Sequence, residues 1–326
     1  MHTKKLFDAK EVLFLQDPKY QDTENILNRL VPGYNKISLT ELFISPDKLY
    51  KPNGESLSLE EIKLIIFAPG LNYTYKHSLI KVLKHHYPEI LLRNIDTVPY
   101  SNWHWENKFE LFSALIHKSV ETVKLPQTYV INPQASKEIT QQFRESVMPN
   151  FPFVLKAALG SQGKSVKKIN NAPEFNIFLD SILNIEGFDS KRNYYLMQEM
   201  IYSPMRSDYR IIAIQGKIIG GMERISNKKD EFRTNFSLGG DIRKMESIPE
   251  DIEDAVKEIY EKTRLTTIGF DFIRDNNSDL YLLEITTAPQ RDGFNSLHGF
   301  DALEIKLLKL LERDQLRTIN YPVNFS

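Results

Sequence analysis

The sequence predicts a mixed fold: a small parallel α/β domain first, then an α+β region of antiparallel strands and helices. Three observations carry this. The chain has 326 residues, enough for two or three domains of about 100–200 residues each. Over the first hundred residues, short apolar runs alternate with amphipathic stretches, as βαβ units do. Further on, glycine accumulates: 11 of the 14 glycines lie from Gly160 to Gly299, most beside β-like runs, where turns and close ligand approach need them.

The elements follow in order. Residues 11–15 (EVLFL) and 62–68 (IKLIIFA) read as buried strands, with helices over 22–31 and 58–63 between them. Residues 76–86 form an amphipathic helix with Leu79, Ile80, Val82 and Leu83 on its apolar face, and 90–92 is a short strand. A helix over 107–122 precedes Pro126 and a strand at 128–132, then a helix at 136–145. Strands at 151–158 and 165–169 flank a glycine loop, and 173–184 is helical. A strand at 194–200 leads to several strands over 208–245, with turns at Gly216 and Gly239–Gly240. A helix at 249–263, a hairpin of 266–274 with 280–286, and a helix at about 300–312 complete the chain.

Composition narrows the chemistry. Apolar residues make up 41% and charged residues 26%, so the chain can bury a core and is not a disordered tail. Lys plus Arg is 42 against 43 Asp plus Glu, with no long basic run, which argues against nucleic acid as partner. Cysteine is absent, which removes disulfides, thiolate nucleophiles and iron–sulfur clusters. No apolar stretch approaches the ~18 residues of a membrane span, and Asp8, Lys10 and Glu11 interrupt any signal-peptide core, so a cytoplasmic protein without membrane association is expected. A homo-oligomer is compatible with this composition.

Two local patterns carry chemistry. The first is Lys156-Ala-Ala-Leu-Gly160-Ser161-Gln162-Gly163-Lys164-Ser165. It nearly fits a P-loop, but the first glycine would be Ala158, and Val166–Ile169 continues as a strand rather than opening a helix. A strand–glycine loop–strand flap, with backbone N–H groups aimed at phosphate oxygens, fits better. Lys156 stands inside an apolar strand; it reads either as a snorkelling surface lysine or as a phosphate partner of that flap.

The second pattern is a carboxylate pair. With a four-residue loop at 276–279, residue 275 pairs with 280 and Asp271 falls opposite Glu284. Like charges so placed repel, and a hard cation that also binds substrate phosphates would turn the repulsion into coordination. The alternative is two ordinary acids on a solvated hairpin.

These residues resemble the ATP-grasp superfamily, most of all its ribosomal-protein glutamate ligase (RimK-type) branch, with prokaryotic glutathione synthetase as a near neighbour. The resemblance runs over about 62–312 and is strongest from 151 to 296. It implies a pre-ATP-grasp domain over 1–105, a central lobe with the phosphate loop over 106–197, and a C-terminal lobe with the metal site over 198–326. Gly160, Ser161, Gln162 and Gly163 match the family's phosphate loop, and Gln198-Glu199-Met200-Ile201 resembles the hinge that meets adenine. Asp208-Tyr-Arg210 resembles the family's D-x-R, which implies Asp208 near ribose and Arg210 near the terminal or acyl phosphate. Arg224 matches a basic residue on the next strand, and Phe232-Arg233-Thr-Asn235 with Gly239-Gly240 a stretch near phosphate and metal. Lys108 resembles the first phosphate-binding lysine, although its 18-residue spacing to Pro126 is long for the family. Asp271 and Glu284 fall on the magnesium carboxylates. The family's E-x-N is here Glu284-Ile285-Thr286, so a threonine hydroxyl stands where an asparagine amide is usual.

The resemblance implies an ADP-forming ligase using ATP and Mg²⁺, with Mn²⁺ as an alternative ion. A carboxylate would be activated as an acyl phosphate and joined to an amine or hydroxyl of an amino acid or peptide. Lys156, Arg210 and Arg224 are the expected catalytic cations. Two alternatives stand beside it: a macrocyclising ligase acting on side chains of a ribosomally made peptide, and a degenerate nucleotide binder that does not ligate. Arg291, Asp292 and Asn295 are candidates to line the substrate end, and His85 and His86 read as surface residues.

Overall fold

The computed structural model describes residues 6–16, 21–68, 73–94, 105, 107–132, 134–159, 166–183, 194–226, 240–265, 267–287 and 289–313. The first sheet is parallel, with β1 (Val12–Gln16), β2 (Asn35–Ser38), β5 (Leu64–Phe67) and β6 (Leu91–Arg93) in the order β2-β1-β5-β6. Helices α1 (Gln21–Leu30) and α2 (Tyr73–His86) make the crossovers. β5 and the first four residues of β1 are continuously apolar because both faces of a parallel sheet are covered. The helix expected over 58–63 is instead a turn. Its Leu59 and Ile62 are buried, and the Ile62 N–H closes on the Leu59 carbonyl at 3.0 Å. A two-residue hairpin pair, β3 (Phe43–Ile44) and β4 (Leu49–Tyr50), sits between the expected elements.

Helix α3 (Lys108–His117) is shorter than the expected 107–122, ending before Ser119, which has a positive φ of 53°. A four-stranded antiparallel sheet follows, in the order β7-β10-β8-β9: β7 (Thr128–Val130), β8 (Phe153–Ala157), β9 (Val166–Ile169) and β10 (Tyr195–Glu199). Phe153, Leu155 and Met197 face one way and pack with Phe175, Phe178 and Leu179 of α5 (Ala172–Leu183). α4 (Lys137–Val147) lies beside α5, held by Lys137 to Asp180 at 2.6 Å. The alternation leaves Val154, Lys156, Leu196 and Gln198 on the opposite face.

The third sheet is antiparallel, in the order β13-β12-β11-β14-β15. Its strands are β11 (Ser207–Ile214), β12 (Lys217–Ile225), β13 (Asp241–Lys244), β14 (Thr267–Arg274) and β15 (Leu280–Thr286). Gln215 and Gly216, with φ of 52° and 74°, form the two-residue turn joining β11 to β12, as a right-twisted hairpin favours. One face carries Ile211, Ala213, Ile268, Phe270 and Phe272, covered by α3 and by Ile252, Val256 and Ile259 of α6 (Glu250–Thr263). The other face carries Ile212 and Met222, packed on Phe294 of α7 (Asp292–His298), and beside them a row of charged side chains.

The last helix, α8 (Ala302–Leu311), returns to the first sheet. Leu307, Leu310 and Leu311 share a core with Phe7, Val12, Phe14, Leu27 and Ile66. Arg93 donates to the Lys309, Leu310 and Glu312 carbonyls at 3.1, 2.6 and 3.2 Å, satisfying the C-terminal end of α8. Among the described residues, no helix is long and apolar enough to cross a membrane.

Candidate active site

The charged row begins with β-pairing. Asp208 on β11 lies opposite Arg224 on β12, and Arg210 lies opposite Asp271 on β14. Because residues two apart share a face, all four side chains project from one side of the sheet. All four are buried. Arg224 grips Asp208 with two bonds of 2.6 Å and reaches Asp271 at 3.0 Å. Arg210 donates from Nε and Nη2 to the two Asp271 oxygens, the latter at 2.7 Å. The chain of charges therefore alternates: Asp208, Arg224, Asp271, Arg210. Burial disfavours the Arg224 charge, but its two carboxylate partners hold its pKa above the usual range. Burial pushes Asp271 up, and Arg210 and Arg224 outweigh it, so the carboxyl stays below its usual range.

Glu284 on β15 lies opposite Asp271, as the sequence predicts, but by a different route. The loop begins one residue earlier, pairing Arg274 with Leu280, and a bulge between Asp271 and Phe272 restores the offset. The extra residue is Leu283, whose carbonyl accepts from the Lys156 ammonium at 3.4 Å. Thr286 lies two residues beyond Glu284 on the same face, opposite Gly269. A side chain at Gly269 would meet Pro289, with only 2.7 Å between the two Cβ atoms.

Two lysines complete the cluster. Lys108 opens α3 and lies 3.3 Å from Glu284. Its neighbour Asn107 caps α3 by accepting from the Phe109 and Glu110 N–H groups, and donates to the Tyr194 hydroxyl at 3.1 Å. The Lys108 N–H bonds the Ala158 carbonyl, and the Ala158 N–H the Tyr194 carbonyl. Asn107 thus ties the start of α3 to Tyr194 at the entry to β10, while the Lys108 N–H ties it to Ala158, where β8 runs into the glycine loop. Sequence reading passed over Asn107; an asparagine directly before an apolar helical run was the available signal. Lys156 is buried with its ammonium over the Phe112 ring at 5.6 Å. Burial and then the Lys108 charge pull its pKa down to about 7, against the opposing pull of Glu284 and Asp271.

The structure thus gathers Lys108, Lys156, Asp208, Arg210, Arg224, Asp271, Glu284 and Thr286. Gln198 shares the Lys156 face of its sheet and donates to Thr128 at 2.7 Å. Glu199 accepts from the Gln127 N–H at 2.9 Å, and Met200 and Ile201 continue beyond the end of β10. Gly160, Ser161, Gln162, Gly163 and Asn235 lie outside the described residues, although β8 and β9 pair on either side of the loop as a flap requires. Arg291 and Asn295 bond Asp301 at 3.0 and 3.1 Å, so these two join α7 to α8. His85 and His86 are exposed.

Asp271, Glu284 and Thr286 offer a hard, all-oxygen donor set on one face, which fits Mg²⁺, an ion held through one or two carboxylates with substrate phosphates completing its shell. Among the described residues, no group of three or more His, Cys, Asp or Glu side chains could form a metal cage alone.

Comparison with known proteins places the fold. A "Coenzyme gamma-F420-2:alpha-L-glutamate ligase" from Methanococcus maripaludis is 28% identical over 198 residues, 60% of this chain. That match spans 64% of the relative's length, less than two thirds. Among solved structures, the ATP-grasp ligase PsnB with a phosphomimetic variant of its minimal precursor, Mg and ADP superposes with a TM-score of 0.60, at 12% identity over 94% of this chain and 98% of that one. A RiPP-associated ATP-grasp ligase from Chryseobacterium gregarium, in complex with ADP and a leader and core peptide, gives 0.58 at 15% identity over 93% and 96%. These likenesses are of fold. Residues 106–311 match the family described as the RimK-like ATP-grasp domain, nearly two thirds of the chain, and the chain belongs to that family.

Proposed function

We propose that the protein is an ADP-forming ligase that activates a carboxylate with ATP and joins it to an amine or hydroxyl of an amino acid or peptide. The observation that supports this most directly is the convergence of four cations, Lys108, Lys156, Arg210 and Arg224, on the Asp271–Glu284 pair. Such a cluster suits a phosphate chain and a metal together. Mg²⁺, or Mn²⁺ in its place, would be held by Asp271 and Glu284 with Thr286 beside them, and would neutralise charge on the transferring phosphoryl group. Lys156 and Lys108 hold the phosphates from the side of the glycine loop. Arg210 faces the terminal phosphate and the acyl phosphate that forms from it. Positioning and charge neutralisation are the whole of the protein's contribution, and no nucleophilic side chain is required.

Glutamate ligases among the curated relatives favour an amino acid as one substrate. The peptide-bound neighbours favour a second reading, a ligase acting on side chains of a peptide, because their fold is shared over more than nine tenths of this chain. The reading places the enzyme where ATP and magnesium are supplied, in the cytoplasm.

Two measurements test it. Millimolar Mg-ATP should raise the melting temperature, because a ligand bound only by the native state stabilises it by RT ln(1 + [L]/Kd). A screen of amino acids and short acidic peptides should then find a pair that releases phosphate and ADP. Release of pyrophosphate, or no thermal shift with folded protein, refutes the proposal.

A further inference from the structure

We propose that the two buried arginines divide the work on Asp271: Arg224 is a fixed strut, and Arg210 is an exchangeable cation that occupies the carboxylate until a divalent ion replaces it, freeing its guanidinium for the anionic substrate. This rests on the nucleotide-and-metal reading of the same site.

What a carboxylate can accept is limited. Two oxygens offer about four lone-pair positions in all. Asp271 already accepts three N–H bonds, two from Arg210 and one from Arg224. One position is left, but the Arg210 fork spans both oxygens, so a divalent ion arriving while that fork is seated would stand against two guanidinium charges and could not engage both oxygens. For an ion to hold this carboxylate firmly, one arginine has to yield.

Arg224 is the one that cannot. Its Nε and Nη2 also hold both oxygens of Asp208, at 2.6 Å each. Moving it would strand a second buried carboxylate, and a buried charge without its partner is strongly disfavoured. The bonds of Arg210 run, among the described residues, to Asp271 alone. A divalent ion at Asp271 would replace the charge that Arg210 withdraws. A phosphate or acyl phosphate would offer the released fork a planar pair of oxygens, the acceptor that guanidinium fits best. The two replacements need each other. A metal alone must expel Arg210 into a cluster that already holds Lys108, Lys156 and Arg224, and should bind weakly; a metal arriving with an anion does not meet that obstacle.

The test uses Mn²⁺ alone, without nucleotide, followed by electron paramagnetic resonance on the full chain. Arg210→Met removes the competitor and should bind Mn²⁺ about tenfold more tightly than the unsubstituted protein, equivalent to about 1.4 kcal/mol. Arg210→Lys keeps a charge but loses the fork, and should fall between; it carries the test if the methionine variant does not fold. Arg224→Gln removes the strut and should bind at least as weakly as the unsubstituted protein. Adding Glu284→Gln to Arg210→Met should abolish the gain, which assigns the ion to this site. Arginines that serve only as structural supports would weaken Mn²⁺ binding when either is replaced. Unchanged or weaker binding in both Arg210 variants, or a gain that survives Glu284→Gln, overturns the exchange. The two failures are separable: a thermal shift with Mg-ATP but no gain in either Arg210 variant refutes the exchange alone, whereas no thermal shift refutes the function on which it rests.

Discussion

The Lys108 ammonium lies 3.3 Å from the Glu284 carboxylate, joining the first turn of α3 to the edge strand β15. Glu284 therefore has a partner before any metal arrives. Its side chain is 29% exposed but that of Lys108 only 5%, so neutralising Glu284 takes a partner from a buried ammonium. Glu284→Gln should thus lower the melting temperature while the chain still folds, and lower turnover at least ~100-fold, the scale of losing a preorganised charge at a reacting phosphoryl group. Thermal denaturation alongside phosphate release checks both halves. A variant that retains most of the activity would remove the hairpin as the metal site.

Thr286 tests the same strand in the opposite direction. Its hydroxyl stands on the metal face but is a shorter, neutral ligand than an asparagine amide oxygen. Thr286→Asn should lower the magnesium concentration that gives half-maximal activity, measured at fixed free ATP. An unchanged magnesium dependence would show that this position does not contact an ion.

Lys156 makes nucleotide affinity depend on pH. Its pKa is lowered to about 7 in the nucleotide-free protein, and bound phosphates favour the charged form. Affinity should be fullest below pH 7 and weaken as pH rises through 7 toward 9, because binding then requires proton uptake. The stability effect has the opposite sign. The folded-state pKa lies below that of the unfolded chain, so this lysine makes folding more favourable as pH rises from 7 toward its ordinary value. Kd for Mg-ADP measured between pH 6 and 9 should show the slope, and Lys156→Met should flatten it.

Gly269 has no room for a methyl group, since an added Cβ would sit 2.7 Å from the Pro289 Cβ and 3.6 Å from the Arg210 Cδ. Gly269→Ala should cost about 1–3 kcal/mol by overpacking. It should also lower turnover, because the strain lands beside the stem of Arg210. Chemical denaturation gives the first quantity, and Pro289→Gly in the same chain should recover part of both.

How much of this could be read in advance differs residue by residue. Strands such as Leu64–Phe67 are continuous apolar runs and announce themselves. Residues 58–63 misled because Leu59 and Ile62 have helical spacing, yet a single turn serves to bury both. β2 is four residues and largely polar, and β3 and β4 are two residues each, so none of them left a period to detect. The Asp271–Glu284 pairing was legible, but through two offsets that cancel: a loop longer by one residue and the bulge at Leu283. The Arg224 bridge was not legible, because it depends on the register of β11 against both β12 and β14, which local sequence does not specify.

The docking of α8 on the first sheet has a consequence for how the chain is made. Leu307, Leu310 and Leu311 cover a patch that includes Phe7, Val12, Phe14 and Leu27, and Arg93 closes the end of the same helix. During synthesis from the N-terminus, that patch has no cover until some three hundred residues have been added. The first sheet is therefore not a unit that can finish folding as it leaves the ribosome. Its apolar surface stays open while the middle of the chain folds, which exposes the nascent protein to aggregation until the helix arrives.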